Sequence, residues 1–291
     1  HFALGSLFRR RGEVDRAIRI HQNIIARPDL AADQRGQAIY SLAKDYLAAG
    51  LLDRFPEWGD RLDEPQAIDP ARLAQSISDY GLEPGLRRFR NRTMLGIVWR
   101  DLAGLATLAE TFAGLTELAQ TCLQAAIDEQ QARMEEKHGI PRAADGSAQH
   151  LCVIGLGKFG GGELNLSSDI DVVFCFPQSG ATDGRRSLSN DQFFTRLARA
   201  VIASLADITE DGFCFRVDTR LRPFGDSGPI TTSLVAMEQY YQREGRDWER
   251  YAMIKARPVA GDLAAAAELL ERLKPFVYRR YIDYGSVEAL Q

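Results

Sequence analysis

The chain has 291 residues and a net charge of -4, and 45% of its residues are apolar. This length suffices for a buried core and for more than one domain. The acidic balance argues against non-specific nucleic-acid binding. No apolar run reaches the about 18 to 20 residues of a membrane span, and His1-Phe2-Ala3-Leu4 is unlike a signal peptide. We therefore expect a cytoplasmic protein with neither a nucleic-acid nor a membrane partner.

The cysteines and the two ends of the sequence carry weaker signals. The four cysteines have no CxxC spacing and predict buried thiols in a reducing compartment rather than zinc ligands. They are Cys122, Cys152, Cys175 and Cys214. The missing initiator Met and a helical pattern that runs into Gln291 predict a piece of a longer chain.

Residues 1–55 show helical spacing of apolar residues and are predicted to form tetratricopeptide-like helices. The pattern comprises Leu4-Gly5-x-x-Phe8, Ala17, Pro28, and a restart at Leu42-Ala43-x-x-Tyr46. The run from Gly12 to Gln22 resembles the lipopolysaccharide assembly protein B family. Because small residues here let paired helices approach closely, we expect the segment to serve packing, and it includes no catalytic group.

The rest of the chain divides at Pro- and Gly-rich breaks. A helical segment is predicted over 56–140, with helices at 71–81 and 86–138, a catalytic domain over 141–262, and a truncated helical region over 263–291. Strands are predicted at 151–154, 169–176 and 213–221, with helices at 192–207, 234–250 and 263–273. Ser189 and Gln192 form a candidate capping box. This order predicts an α+β fold.

The run from Gly155 to Gly160 matches G-x-G-x-x-G, which by itself is a weak sign of dinucleotide binding. Such a domain needs a helix and a full crossover before its acidic residue. Here Asp169 follows too soon for that crossover, so the nicotinamide interpretation is disfavoured. No Walker A motif occurs.

Asp169-x-Asp171 leads into an apolar run and is the stronger signal. Alternate residues of a strand share a face, so both carboxylates point the same way and can bind Mg²⁺. Such a pair suits metal-assisted phosphoryl or nucleotidyl transfer. The alternative is an Asp pair that caps a turn.

The run from Phe213 to Arg220 adds a third carboxylate, Asp218, on the polar face of a predicted strand. Asp218 completes a three-acid site, and Arg220 and Arg222 supply planar donors for phosphate oxygens. A salt-bridge ladder of Arg216, Asp218 and Arg220 is the alternative. Gly160, Gly161 and Ser168 are further candidates for nucleotide or phosphate binding. The charged cluster from Arg246 to Arg257 is either a salt-bridged helix, which we favour, or a substrate contact.

Three motifs together resemble the glutamine synthetase adenylyltransferase family. They are Gly155 to Asp171, Arg216 to Gly225, and Gly245 to Arg257. The similarity covers about residues 55–291. Asn165-Leu166-Ser167-Ser168 and Pro223 to Gly228 resemble the N-terminal, adenylyl-removing copy of the two transferase domains. The family does not begin with tetratricopeptide repeats, so we expect a fusion joined near Asp53 to Pro56.

The resemblance implies a nucleotidyltransferase-like mixed sheet flanked by helices. It implies removal of AMP from a glutamine synthetase tyrosine by phosphorolysis, with Asp169, Asp171 and Asp218 holding Mg²⁺. The implied partners are glutamine synthetase, ATP or ADP, phosphate and the PII signalling protein. The alternatives are ATP-dependent adenylylation of the same protein, or an inactive fragment that acts as a protein-binding scaffold.

Overall fold

The computed structural model describes residues 14–25, 34, 41, 50–51, 55–59, 62, 64–65 and 67–278. The chain divides into two compact units, one of residues 1–69 and 88–118 and one of 70–87 and 119–291. Helix α1 (Val14–Ile25) belongs to the first unit. Most of the predicted tetratricopeptide segment lies outside the described residues.

The first unit contains a small aromatic cluster beside a 3-10 turn at Pro56–Gly59. The rings of Phe55 and Trp58 stack with centroids 4.0 Å apart. Leu62 and Leu95 pack against them, and all four side chains are buried. The Pro- and Gly-rich stretch that marks a predicted boundary therefore contributes to a hydrophobic cluster.

Three long helices follow in the chain. They are α2 (Pro70–Tyr80), α3 (Leu82–Ala103) and α4 (Leu108–His138). Gly81 and Gly104 have positive φ, which lets the chain turn where α2 and α3 end. Thr107 and Glu110 form a capping box before α4, because the Thr107 hydroxyl accepts from the Glu110 N–H while the Glu110 carboxylate accepts from the Thr107 N–H. The predicted helices are confirmed, with an interruption at 104–107 that the prediction lacked.

The second unit contains the described strands. They are β1 (Pro141–Ala143), β2 (Cys152–Gly155), β3 (Ile170–Phe176), β4 (Gly180–Thr182), β5 (Val217–Asp218), β6 (Thr231–Ser233) and β7 (Arg257–Gly261). β1 and β4 form a separate antiparallel pair. The larger sheet has the order β5-β3-β2-β7, with β6 also paired to β3. β3 runs antiparallel to β2 but parallel to β5 and β6, so the predicted mixed sheet is confirmed.

β3 is the central strand, and its two ends have different partners along one edge. Ile170 and Asp171 pair with β5, whereas Phe174 to Phe176 pair with β6. Residues 172–176 are all apolar and all buried, as expected for a strand covered on both faces. Asp171 is therefore the polar residue at the amino end of an otherwise apolar strand.

Helices cover the sheet in the second unit. They are α5 (Gly157–Gly160), α6 (Asn190–Ala206), α7 (Leu234–Arg243), α8 (Asp247–Met253) and α9 (Leu263–Val277). Met237, Leu269 and Phe276 from α7 and α9 pack against Cys152 and Ile154 of β2. On α6, Ser189 is the N-cap and its hydroxyl accepts from the Gln192 N–H, which confirms the predicted helix start.

Two predicted elements are wrong in extent. The third strand comprises only Val217–Asp218 rather than 213–221. The N–H groups of Cys214 and Phe215 both donate to the Leu205 carbonyl near the end of α6, so this part of the chain is bound to the helix instead of the sheet. The predicted helix 234–250 is two helices, α7 and α8, with Gly245 between them.

The position of Gly245 explains that break. A Cβ at this residue would lie 2.6 Å from an atom of the Phe276 ring and 2.6 Å from the Tyr241 carbonyl oxygen.

The four cysteines are buried and free, as predicted. In the part of the chain that the structure describes, no helix combines the length and apolar character needed to traverse a bilayer.

Candidate active site

The three predicted acids meet at the amino end of β3. Asp171 is paired in register with Asp218 of β5, and residues paired across neighbouring strands point to the same face. Asp169 stands two residues before Asp171. The N–H of Ile170 donates to the Arg216 carbonyl at 2.9 Å, which extends the β3–β5 pairing to the level of Asp169.

Asp171 is half-buried. Burial raises its pKa, and the nearby Asp218 and Asp169 carboxylates raise it further, while Arg220 and Lys158 oppose them. Like charges that share a site disfavour ionisation of one another. The raised pKa of Asp171 is in keeping with Asp218 and Asp169 as its charged neighbours.

Gly157 leaves room for the Asp171 carboxylate. A Cβ at Gly157 would lie only 2.6 Å from Asp171 Oδ2, and the residue has a φ of +53 degrees. Both the close approach and the left-handed backbone favour glycine. Gly157 is not among the predicted site residues, although its place in the glycine run was the available signal.

Arginines bind the other two acids. Arg216 Nε donates to Asp169 Oδ1 at 2.5 Å. Arg220 Nε donates to Asp218 Oδ2 at 2.9 Å, and the Arg220 N–H donates to Asp218 Oδ1 at 2.8 Å. The hydrogen bond from the Arg220 side chain lowers the pKa of Asp218. The pKa of Asp218 is thus lowered beside Asp171, whose pKa is raised.

Arg222 has a different environment from Arg220. Its side chain is buried, and it braces the turn from Thr219 to Gly228. Its guanidinium donates to the Thr219 carbonyl at 2.9 Å, the Asp226 carbonyl at 3.1 Å and the Gly228 carbonyl at 3.3 Å. These contacts support a positioning role. The phosphate-binding role of Arg222 stays a prediction.

The glycine loop after β2 packs closely against β7 and the residues before it. A Cβ at Gly160 would lie 2.1 Å from the Lys255 carbonyl oxygen, so this glycine is required by packing. Arg257 Nε donates to the Gly160 carbonyl at 3.1 Å, and Lys255 Nζ donates to Glu163 Oε2 at 2.6 Å. Because β2 and β3 are antiparallel, the loop does not belong to a parallel βαβ unit, which excludes the dinucleotide interpretation.

The remaining candidates in this loop make internal hydrogen bonds. The N–H of Gly160 donates to the Leu156 carbonyl at 2.8 Å, and that of Gly161 to the Gly157 carbonyl at 3.1 Å. The Ser168 hydroxyl donates to Asn165 Oδ1 at 2.7 Å. Phosphate binding by Gly160, Gly161 and Ser168 stays a prediction.

The charged cluster after Gly245 packs largely as a structural unit. Glu249 is buried and accepts from the Tyr240 hydroxyl and the Arg246 N–H, both at 2.8 Å. Arg250 Nε donates to the Phe276 carbonyl at 2.9 Å, and its guanidinium pairs with Asp247. These contacts agree with the favoured interpretation of the cluster.

The three aspartates have the chemistry of a Mg²⁺ site, since carboxylate oxygens are its preferred protein ligands. As the side chains stand, the described residues include no group of three or more His, Cys, Asp or Glu positioned to hold a metal ion. Arg216 and Arg220 are 57% and 71% exposed, so either can leave its carboxylate without loss of packing. A divalent cation would offset the repulsion that raises the pKa of Asp171. The donor atoms therefore suit the ion in kind, but the side chains would have to move to bind it.

A cavity of about 530 Å³ lies at the opposite, carboxyl end of β3. Gln178, Leu234 and Arg272 are among its lining residues, and none of the three aspartates is. This cavity thus lies away from the acids. We assign the candidate chemistry to the acids because charges there are concentrated and partly desolvated.

The mixed sheet with flanking helices is consistent with a nucleotidyltransferase-like fold. The chain belongs to the glutamate-ammonia ligase adenylyltransferase family, whose family model matches residues 37–272. The family resemblance seen in the sequence is confirmed. Its start at about residue 55 was placed too late, because the match includes residues upstream of the predicted join near Asp53 to Pro56. The predicted resemblance to the lipopolysaccharide assembly protein has no support.

Curated relatives are described as bifunctional glutamine synthetase adenylyltransferase/adenylyl-removing enzymes. The relative from Nitrosococcus oceani is 52% identical over 225 residues, which are 75% of this chain and 23% of the relative. The relative from Xanthomonas campestris pv. campestris strain B100 is 52% identical over 258 residues, 86% and 27% of the two chains. The relative from Pseudomonas aeruginosa is 52% identical over 223 residues, which are 76% of this chain and 23% of the relative. The chain spans about a quarter of the length of these relatives.

Proposed function

We propose that this chain carries the adenylyl-removing activity of its family, in which AMP leaves an adenylylated tyrosine of glutamine synthetase by phosphorolysis. The meeting of Asp169, Asp171 and Asp218 at one end of β3 carries the proposal. The choice of removal over attachment rests on residues 165–168 and 223–228, which resemble the N-terminal copy.

The reaction exchanges one phosphorus–oxygen bond for another. An oxygen of inorganic phosphate attacks the adenylyl phosphorus and forms the bridging bond of ADP. The bond from that phosphorus to the tyrosyl oxygen breaks, and the oxygen takes the electron pair and a proton. Negative charge spreads over the phosphoryl oxygens in the transition state, so cations and hydrogen-bond donors accelerate the step.

The side chains of the site divide this work. Asp169, Asp171 and Asp218 would hold Mg²⁺, which when bound supplies positive charge to the phosphoryl oxygens. Asp171 is fixed between Gly157 and its partner strand, so its carboxylate is pre-positioned. Arg220 is exposed and, once free of Asp218, donates to phosphate oxygens. Gly160, Gly161 and Ser168 are the proposed contacts of the nucleotide phosphate, and Arg222 holds the adjoining turn.

The setting of the reaction is the cytoplasm, in keeping with four buried free thiols in a reducing compartment. ATP-dependent adenylylation and a response to the PII signalling protein are the other properties that the family implies. Phosphate dependence separates removal from adenylylation, because only removal consumes phosphate and releases ADP.

The test is to incubate adenylylated glutamine synthetase with the chain, Mg²⁺ and phosphate, and to follow ADP release. The doubly substituted Asp169→Asn, Asp171→Asn chain is the control. ADP release by the intact chain alone is expected. If the chain instead modifies unadenylylated glutamine synthetase with ATP and releases no ADP with phosphate, its activity is adenylylation and not removal. If it is inactive in both assays, the alternative of a protein-binding scaffold stands.

A further inference from the structure

Phe224 is an exposed aromatic residue in a backbone conformation that L residues avoid. Its φ is +63 degrees, and among the described non-glycine residues it is the one with positive φ. Its side chain is 57% exposed. A bulky residue in the left-handed region is strained, and such strain persists where the surroundings impose it, often at a functional site.

The surroundings of Phe224 impose this conformation through Arg222. The buried guanidinium of Arg222 joins Thr219, next to Asp218, to Asp226 and Gly228 on the far side of the turn. The Ser227 hydroxyl donates to the Phe224 carbonyl at 2.8 Å. The turn thus folds back beside the acids and presents one aromatic ring at its tip.

Tyr240 fixes the ring from one side. The two rings meet edge to face, with centroids 4.4 Å apart and planes inclined at 61 degrees. The Tyr240 hydroxyl donates to the buried Glu249 carboxylate at 2.8 Å, which fixes the Tyr240 ring. Phe224 is therefore held rigidly, while more than half of its surface faces solvent.

We propose that Phe224 is the surface on which the adenine base of the bound nucleotide stacks. This inference rests on the proposed function, which places the adenylyl phosphate at Asp169, Asp171 and Asp218. A nucleotide bound there by its phosphate would extend its base away from the acids, and the turn that leaves Asp218 presents the exposed Phe224 ring only six residues further along the chain. Base stacking on an aromatic side chain requires only an accessible, pre-oriented ring face.

The approach of the turn to the phosphate-side arginine supports this placement. A Cβ at Gly225, the residue after Phe224, would lie 3.7 Å from the Arg220 carbonyl oxygen. Arg220 in turn binds Asp218. One short segment therefore presents an acid, a guanidinium and an aromatic ring, which are the groups that would contact a cation, a phosphate and a base.

The test compares the binding of ADP and of inorganic pyrophosphate, both with Mg²⁺, by titration calorimetry. Pyrophosphate keeps the phosphates and lacks the base. Phe224→Leu retains an apolar side chain and removes the ring, and it should weaken ADP by roughly tenfold while pyrophosphate is unchanged. Phe224→Trp should bind ADP within about threefold of the original chain. Ile208→Ala, which alters an 83% exposed apolar residue elsewhere, is the matched control.

Phe224→Trp also gives a direct signal of stacking. ADP should quench the added tryptophan emission, measured against the original chain, and pyrophosphate should not. Equal binding of ADP by the Phe224→Leu and original chains would overturn the inference. The inference would also be overturned if Phe224→Leu weakened pyrophosphate binding as much as ADP binding, or if it weakened only the interaction with adenylylated glutamine synthetase. Absence of ADP binding by the original chain would overturn it as well. Phe224-dependent ADP binding without phosphorolysis would leave the inference standing and remove the proposed reaction.

Discussion

The two ends of β3 offer an internal comparison. At the carboxyl end, Phe176 stacks on Phe194 of α6 with ring centroids 4.9 Å apart, and both side chains are fully buried. At the amino end, Asp171 faces Asp218 and approaches Gly157. Each end has a parallel partner strand, yet one concentrates apolar surface and the other concentrates negative charge.

The difference shows how one strand serves both stability and chemistry. Burial of aromatic rings at the carboxyl end favours the folded state through the hydrophobic effect. At the amino end, desolvation and the repulsion from Asp218 and Asp169 make the Asp171 carboxylate unfavourable, whereas Arg220 stabilises the Asp218 carboxylate. Substitutions at the two ends should therefore separate stability from activity.

The largest expected effect is at the carboxyl end. Phe176→Ala removes a fully buried ring and should lower the free energy of unfolding by about 3–5 kcal/mol, measured by urea denaturation. Ile208→Ala, at an exposed site, should change it by less than about 0.5 kcal/mol. A loss for Phe176→Ala no larger than that of the control would show that this end does not anchor the sheet.

At the amino end the effect should fall on activity instead. Asp171→Asn should reduce ADP release by at least about a hundredfold, because a carboxylate that would bind the cation is lost. The same change should not lower the free energy of unfolding at neutral pH, since it removes a carboxylate that is repelled and partly desolvated. Nearly normal turnover, or a large loss of stability, would break the comparison.

The contrast between the ends was only partly visible in the sequence. The apolar run into Phe176 and the acid pair at Asp169 and Asp171 are local patterns. The strand is confirmed from Ile170 onward, and the role of the acid pair stays a prediction. The Ser189 cap was likewise readable, because its hydrogen bond spans three residues. Pairing of Asp171 with Asp218 needs a register between strands far apart in sequence, which local periodicity suggests but does not determine.

What the sequence could not supply depends on tertiary contacts. Residues 213–216 alternate like a strand, but the backbone N–H groups of Cys214 and Phe215 bind the Leu205 carbonyl. In the sequence, Arg222 and Arg220 look equally suited to bind phosphate. Only the folded turn shows that the Arg222 guanidinium is buried. The positive φ of Phe224 is also imposed by that turn. It could not be predicted from the sequence, because phenylalanine does not favour positive φ.

A smaller effect is expected from alanine substitutions at Gly157 and Gly162, which together separate backbone strain from steric crowding of the Asp171 carboxylate. Gly157→Ala introduces a Cβ 2.6 Å from Asp171 Oδ2, whereas Gly162→Ala in the same loop meets nothing within 4 Å. Both glycines have positive φ, so each alanine should cost about 1–2 kcal/mol of unfolding free energy. Only Gly157→Ala should additionally displace the carboxylate and impair ADP release. Equal activity of the two variants would show that Gly157 does not position Asp171.

Backbone strain at Phe224 should be measurable by comparing the stability of variants with glycine and with alanine at this position. Phe224→Gly should be more stable than Phe224→Ala by about 1 kcal/mol, because alanine keeps the left-handed penalty and glycine does not. Both variants lose the contact with Tyr240 equally, so the difference isolates the backbone. Alanine at least as stable as glycine in urea denaturation would mean that the turn relaxes once the ring is gone.

The smallest effect, and the one that tests the charges directly, is the pH dependence of stability in EDTA. Asp171 has a raised pKa in the folded chain, because of burial and the Asp218 and Asp169 carboxylates against Arg220 and Lys158. Its favourable contribution is complete below the ordinary Asp pKa of about 3.9 and is lost as pH rises through the folded value. Asp171→Asn should therefore gain stability relative to the original chain as pH rises above 4.

Asp218 should behave in the opposite way, because Arg220 lowers its pKa in the folded chain. Its contribution is present above the ordinary Asp pKa and is lost as pH falls through the lower folded value. Asp218→Asn should therefore be less stable than the original chain at pH 7, and the deficit should shrink in acid. Urea denaturation of both variants across this range measures the two slopes. Slopes of the same sign would mean that the three carboxylates do not share one electrostatic site, whereas opposite signs would identify Asp171 as the acid that a cation relieves.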